Sequence, residues 1–503
     1  MAAVDHVSDI LAAGNADHPD RPALHIGRSV WTYGELWAGA VAVARGLVRR
    51  GVGDGSLVVI ALPNDVDFVL AFFGALVAGG VAVPLFPRST AARLASFAAQ
   101  IGAEIVVQGD DRPPGHATVT VAELQSSSAL APRGGASDTC YLQYTSGSTA
   151  DPRGVVITHD ALLTNIAQMI NAMSITRDDV FVSWLPTYHD MGLTLMMLTP
   201  LRLGTRAVLL PTELRNVGTW LEAIAEHRGT FTAGPDFAYR LCCRRIAPGD
   251  HSSLATLEVA MNASEPVRAS TVREFEARFG LDHVMMTGYG LAEATLSVTC
   301  TPRRSLIDVD AHGLACLGAP VPGTDVTIVR GEREAGTGVI GEIVVRGPSL
   351  THGYHLNDEA TRALQWRDGY VRTGDTGYID ASGRLYFAAR EKDVIKVAGR
   401  TLYPQEVEEI VDAIDSVRLA AAVGLDAGDL AGEQLHVVAE LRDASRVGED
   451  AIAMRITRDL HDALGLRPRR VHLVPPGSIP MTENGKLRRT AVRDTYRAAE
   501  PAR

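Results

Sequence analysis

The chain has 503 residues and carries 48 Lys and Arg against 59 Asp and Glu, a formal charge of −11. Its 46% hydrophobic and 21% charged content leaves ample apolar surface to bury, which excludes global disorder, and its length calls for about two to four domains rather than one core. The acidic balance argues against nucleic acid or an anionic membrane as the main partner, because both reward a concentrated positive face.

The first 22 residues hold Asp5, Asp9, Asp17 and Asp20 and lack a basic run followed by an apolar core, so no signal peptide is expected. Five Cys in so long a chain cannot form a disulfide framework, and a reducing cytoplasm fits them. Residues 68–87 are uncharged and about long enough to span a bilayer, but Gly79, Gly80 and Pro84 interrupt them. The segment therefore predicts a buried helix followed by a buried strand.

From residue 31 to about residue 300, Ala- and Leu-rich helical stretches alternate with short apolar runs such as 56–62, 105–107 and 206–210. That alternation predicts βαβ units and parallel sheets covered on both faces. Cys242 and Cys243 fall in an apolar stretch that reads as helix core. After about residue 315, short strands and Gly-rich turns, at 326–329 and 341–347, predict a small β subdomain. From near Lys392 the pattern predicts a compact α+β unit, with a helix over 404–414, a strand over 435–441 and a helix over 451–464. The expected division is residues 1–391 and 392–503.

The sharpest local signal is Tyr144-Thr145-Ser146-Gly147-Ser148-Thr149, followed by Ala150, Arg153 and Gly154. Hydroxyls, small residues and a cation can cradle a polyphosphate, although the segment by itself reads equally as a flexible turn. It lacks the Gly-Lys-Ser/Thr ending of a Walker loop. Downstream, in order, come Trp184-Leu185-Pro186-Thr187-Tyr188-His189-Asp190-Met191-Gly192, Gly288-Tyr289-Gly290-Leu291-Ala292-Glu293, Tyr370-Val371-Arg372-Thr373-Gly374-Asp375, Ala389-Arg390-Glu391-Lys392-Asp393 and Pro480-Met481-Thr482-Glu483-Asn484-Gly485-Lys486.

This ordered set resembles the adenylate-forming superfamily of acyl-coenzyme A synthetases, peptide-synthetase adenylation domains, luciferases and fatty acyl-AMP ligases, over almost the whole chain. The resemblance implies an α/β fold: a large N-terminal platform of parallel-sheet subdomains plus a small β subdomain, followed by a small mobile α+β domain. It implies ATP and Mg²⁺, an acyl-adenylate intermediate and a thiol acceptor. Thr145, Ser146, Gly147, Ser148 and Thr149 would hold the phosphates and Tyr289 would stack on adenine. Glu265 would also belong to the nucleotide site, Glu293 with Thr149 would hold Mg²⁺, and Asp375 with Arg390 would bind ribose. Lys486 would be the catalytic cation and Lys392 the hinge of the mobile domain. Ala150, Arg153 and Ala389 depart from the usual Gly, Lys and Gly.

The runs at 142–144, 188–192 and 290–296 look most like the fatty acyl-AMP ligase branch, whose members usually feed carrier proteins. Between Tyr354 and Arg372, however, the chain runs directly through Trp366-Arg367-Asp368-Gly369 and lacks that branch's insertion, so coenzyme A stays open as acceptor. Asp236 stands where a pocket-wall motif commonly has Asn. A carboxylate facing an apolar tunnel needs a cation, which a substrate ammonium would supply, as in β-amino acid adenylation enzymes of macrolactam pathways. The other reading of Asp236 is a helix cap. Tyr188, His189, Met191, Asn262 and Gly288 are expected pocket neighbours, His189 as gate or packing rather than base, because a carboxylate nucleophile needs no deprotonation. The expectation is thus a cytoplasmic ATP-dependent acid–thiol ligase that loads an acyl carrier protein, with a β-amino acid substrate; a fatty acyl-AMP ligase or acyl-coenzyme A synthetase acting on a plain acid is the alternative. Carrier proteins are usually acidic too, so docking would need a local basic patch, for which Arg467, Arg469 and Arg470 are candidates.

Overall fold

The computed structural model describes residues 4–109, 118–125, 137–144, 153–212, 216–249, 251–397, 399–426, 432–442, 448–482 and 487–499. Two largely parallel sheets form the platform. The first runs Thr118–Val119, Ile105–Gln108, Leu57–Ala61, Val81–Pro84, Thr139–Tyr144 and Gly154–Thr158, of which the last pair is antiparallel. All five residues of Leu57–Ala61 are buried, as a parallel strand covered on both faces requires. The uncharged segment at 68–87 resolves into the helix Val66–Val77 and the strand Val81–Pro84. The Asp65 carboxylate starts that helix by accepting the Phe68 N–H at 3.0 Å. Among the described residues no helix is long and apolar enough to cross a membrane.

The second sheet has the order Ala319–Pro320, Ser297–Cys300, Met285–Gly290, Val259–Asn262, Phe231–Gly234, Val180–Ser183, Arg206–Leu209, Pro22–Ile26 and Ser29–Thr32. The run from Met285–Gly290 to Pro22–Ile26 is parallel, so several strands send their C-terminal ends to one edge, where ligands of open α/β sheets bind. Amphipathic helices cover the sheets. In Tyr33–Arg49 a Thr32–Glu35 capping box fixes the start, and Leu36, Ala40, Val43, Ala44 and Leu47 face the core.

A five-stranded antiparallel sheet follows: Arg333–Glu334, Asp325–Arg330, Gly341–Arg346, Val371–Ile379 and Leu385–Arg390. The stretch between Tyr354 and Arg372 holds the helix Asp358–Leu364 and a tight reversal in which Trp366 N–H donates to Tyr370 O at 2.8 Å. The chain then forms a separate hydrophobic core from Ile395 onward, built on the strands Val417–Asp426, Glu433–Leu441 and Arg470–Val474 and the helices Pro404–Asp412 and Glu449–Leu464. These elements match the expected small C-terminal α+β domain. Cys140, Cys242, Cys243, Cys300 and Cys316 are free and buried, and burial raises each thiol pKa, that of Cys243 to about 11 and that of Cys300 to about 12.

Candidate active site

The hairpin of Val371–Ile379 and Leu385–Arg390 sets Asp375 directly across from Arg390. Arg390 Nε lies 3.5 Å from Asp375 Oδ1, and the Tyr289 hydroxyl donates to Asp375 Oδ2 at 2.8 Å. Asp375 is only 6% exposed, and burial raises its pKa against the opposing pull of Arg390 and Tyr289. The Tyr289 ring stacks on Phe387 with centroids 6.2 Å apart. Burial, with the Asp375 charge added, pushes the Tyr289 hydroxyl well above its ordinary pKa, so it remains a donor.

Strand Met285–Gly290 delivers Tyr289 and leads into a short 3₁₀ turn, Ala292–Ala294, that carries Glu293. A Cβ at position 290 would lie 1.7 Å from Leu296 O, so only glycine lets the chain fold back there. The Tyr354 hydroxyl donates to Glu293 Oε1 at 2.7 Å, and Thr351 N–H donates to Glu293 O at 2.8 Å. The Arg153 guanidinium sits 5.4 Å from the Tyr354 ring centroid, which links the end of the glycine- and hydroxyl-rich segment to Glu293.

One cleft of about 1110 Å³ is lined by Tyr289, Glu293, Asp375, Phe387 and Arg390 together with the apolar Phe86, Phe97, Met169, Met173 and Leu195. Tyr188, His189, Met191 and Gly288 line it, as expected. The Tyr188 ring meets Phe86 edge-on at 5.6 Å, and Gln143 Nε2 donates to Tyr188 O at 3.1 Å. His189 Nδ1 is 2.6 Å from Asp190 Oδ1, which fits a positioned wall residue. Met191 opens the π-helical segment Met191–Leu198, every residue of which is buried.

Asp236 lines the cleft, as expected of a wall residue, and is 1% exposed, but a cation of this chain already faces its carboxylate. Oδ1 accepts Asn262 Nδ2 at 3.0 Å and Arg268 N–H at 3.2 Å, while Oδ2 accepts the Thr271 hydroxyl at 3.1 Å and lies 3.0 Å from Arg240 Nε. Asp236 does not cap its own helix, Asp236–Arg245, whose N-cap is Pro235 with no side-chain bond. It secures instead the start of the next helix, Ala269–Phe279, by binding Arg268 N–H and Thr271. Glu265 accepts Phe237 N–H at 3.1 Å and lines the cleft. Asn262, an expected pocket neighbour, is fully buried and is not part of the lining; its Nδ2 donates to Asp236, and its Oδ1 meets no donor among the described residues.

The C-terminal domain closes the cleft. Met481, Thr482 and the run from Leu487 to Thr490 line it, as does Lys392, whose pKa burial lowers. Across the seam, Asp412 Oδ2 pairs with Arg268 Nη1 and lies 3.4 Å from Arg240 Nη1, and Gln405 Nε2 donates to Val267 O at 3.3 Å. Burial works to lower the Arg268 pKa, but Asp412 and Asp236 outweigh it and the net shift is upward. Thr145, Ser146, Gly147, Ser148, Thr149 and Lys486 lie outside the described residues. Residue-type reasoning passed over Gln143, Tyr354, Phe387 and Asp412, because each acts through a partner distant in sequence. Only Tyr354 carried a hint, since it precedes the missing insertion.

The family model for AMP-binding enzymes matches residues 11–355, and that for the AMP-binding enzyme C-terminal domain matches residues 399–494. The long-chain-fatty-acid–AMP ligase FadD28 of Mycobacterium bovis is 32% identical over 542 aligned positions, covering 94% of this chain and 93% of its own length. The alignment exceeds this chain's 503 residues, so that relative holds segments this chain lacks. A solved structure from work on the fatty acyl-adenylate ligases of E. coli and L. pneumophila superposes with a TM-score of 0.88 at 28% identity, covering 98% of each chain. ATP-bound MatB from Rhodopseudomonas palustris superposes with a TM-score of 0.87 at 25% identity, covering 98% of this chain and 99% of MatB.

Proposed function

The chain belongs to the AMP-binding enzyme family and is an ATP-dependent adenylate-forming ligase; on that premise we propose that it activates an apolar carboxylic acid and hands the acyl group to the phosphopantetheine thiol of a carrier protein. What supports this most is that one cleft is lined both by Tyr289, Glu293, Asp375 and Arg390 and by apolar side chains. In the first step a carboxylate oxygen bonds to the α-phosphorus of ATP as the bond to the pyrophosphate oxygen breaks. In the second a thiolate attacks the acyl carbon and AMP leaves. Asp375, with Arg390, takes the ribose hydroxyls, and Tyr289 lies against adenine. Thr145 to Thr149 hold the phosphates, and Lys486 neutralises charge developing at the α-phosphate. Those last assignments rest on the motifs, and the flanking residues Thr482 and Leu487 border the cleft. Glu293 and Thr149 would hold Mg²⁺, for which hard oxygen donors are suited; when bound, the ion neutralises phosphate charge.

The proposed division is residues 1–391 and 392–503, with Lys392 as hinge. The fatty acyl-AMP ligase relatives favour a carrier protein as acceptor, while the tight turn at Trp366 to Tyr370 keeps coenzyme A as the other source of the same thiol. Arg240 already neutralises Asp236, so the electrostatic need for a substrate ammonium falls away. A β-amino acid remains the second reading because of one observation: the buried carboxylate-bearing Asp236 is among the residues that line the cleft. A panel of plain, α-amino and β-amino acids in ATP–pyrophosphate exchange tests the proposal. Exchange is expected to depend on the acid and to vanish in Lys486→Ala at unchanged Tm. Exchange that survives the substitution, or is absent with every acid, overturns it. If Asp236→Asn leaves any preference for amino over plain acids unchanged, the amine reading fails.

A further inference from the structure

The Asp412 ion pair at the domain seam differs from the Glu408–Arg489 pair inside the C-terminal domain. Within that domain, Glu408 grips Arg489 with both oxygens, at 3.2 Å from Arg489 Nε and 2.6 Å from Nη2. At the seam, Asp412 offers only Oδ2 to two arginines, Arg268 and Arg240, and its buried Oδ1 has no partner among the described residues. A half-satisfied buried carboxylate gains the attraction of two cations and still bears the desolvation cost of its other oxygen, so the grip holds and is also readily released. Both arginines also answer to Asp236, one through Nε and the other through its backbone N–H. Phe237 and Leu241, on the same helix as Arg240, line the cleft, so an acyl chain lying against them bears on the element that carries Arg240.

We propose that Asp412 is a positioning residue for acid activation: a releasable latch that holds the C-terminal domain over the cleft through Arg240 and Arg268 and couples that grip to the acyl wall through Asp236. The inference rests on the proposed adenylation reading for its kinetic test. It deepens that reading by assigning lid closure to one charge that reaches neither nucleotide nor acid.

The decisive variant is Asp412→Asn, which keeps size and shape and removes the charge. At saturating ATP and acid, kcat for pyrophosphate exchange is expected to fall about tenfold, with the KM for ATP changed by less than about twofold. Arg240→Gln should give a smaller loss, and the two substitutions together should cost less than the product of their separate effects. Independently of activity, trypsin should cut between Arg390 and Arg400 faster in Asp412→Asn than in the parent, with the Tm of the N-terminal core unchanged. Parent-like exchange and cleavage in Asp412→Asn overturn the latch, as does strict multiplicativity with Arg240→Gln. An equal loss of Tm and kcat in both variants also overturns it, because that marks a structural role only. If the parent exchanges with no acid, the adenylation reading fails while the cleavage comparison still decides the latch.

Discussion

Burying the Asp375 carboxylate raises its pKa, and Arg390 at 3.5 Å and the Tyr289 hydroxyl at 2.8 Å do not bring it back to the ordinary value. A carboxyl with a raised folded pKa contributes stability below its unfolded value, about 3.9, and loses that contribution as pH rises through the folded value. At neutral pH, then, the ligand-free protein bears a cost for this group, which ribose binding would offset under the proposed function. Asp375→Asn is expected to leave Tm at pH 7 unchanged or higher by about 1–3 °C, while exchange falls about a hundredfold. Thermal melts from about pH 4 to 7 should show the parent losing ground to the variant. A Tm lower by several degrees at pH 7 would refute the account. Asp375, Tyr289 and Glu293 were legible because each sits in a short run whose order along the chain is distinctive. Asp236 was legible only as a residue type. Its partners stand 4, 26, 32 and 35 residues away, and no local pattern announces which donors a fold will bring to one carboxylate.

At the scale of elements, apolar runs bounded by Gly or Pro marked the strands closely. The run at 56–62 became Leu57–Ala61, 206–210 became Arg206–Leu209, and the helix expected over 451–464 became Glu449–Leu464. Burial on both faces leaves such strands uniformly apolar, so they declare themselves. Met191–Leu198 did not, because a stretch apolar but for Thr194 carries no period from which a π-helical turn could be told. Pairing order was hidden too: Pro22–Ile26 lies beside Arg206–Leu209, a neighbour set by packing rather than proximity in sequence. The hairpin of Met285–Gly290 and Ser297–Cys300 ties fold to site most tightly, since it fixes Tyr289 and Glu293 together. Gly290→Ala forces a methyl against the Leu296 carbonyl and should cost about 2–3 kcal/mol of stability. Urea denaturation measures that loss, and exchange should fall more than stability alone explains. A fully stable, active Gly290→Ala would show that the hairpin tolerates a shift of backbone at the site.

For the whole molecule, a net charge of −11 sets the terms on which the proposed carrier protein, if acidic, would approach. Global attraction is absent, so encounter depends on local positive relief. Arg467, Arg469 and Arg470 are exposed on the C-terminal domain beside the strand Arg470–Val474. Replacing all three with Glu should leave exchange unchanged and raise the KM for carrier about tenfold at low salt, with the difference shrinking as salt rises. An unchanged carrier KM would remove this face from consideration. A separate small C-terminal domain was readable from the change of texture along the chain, but the charges that pair it with the platform were not, because Asp412 meets its arginines only in the folded chain. The buried cysteines bear on how such motion can be watched. With all five thiols enclosed and their thiolate forms disfavoured, the native chain should stay silent toward alkylating reagents. A single cysteine introduced on each side of the seam would therefore take a dye selectively on an otherwise natural background. Any slow labelling beyond those two positions would count, molecule by molecule, how often the interior opens.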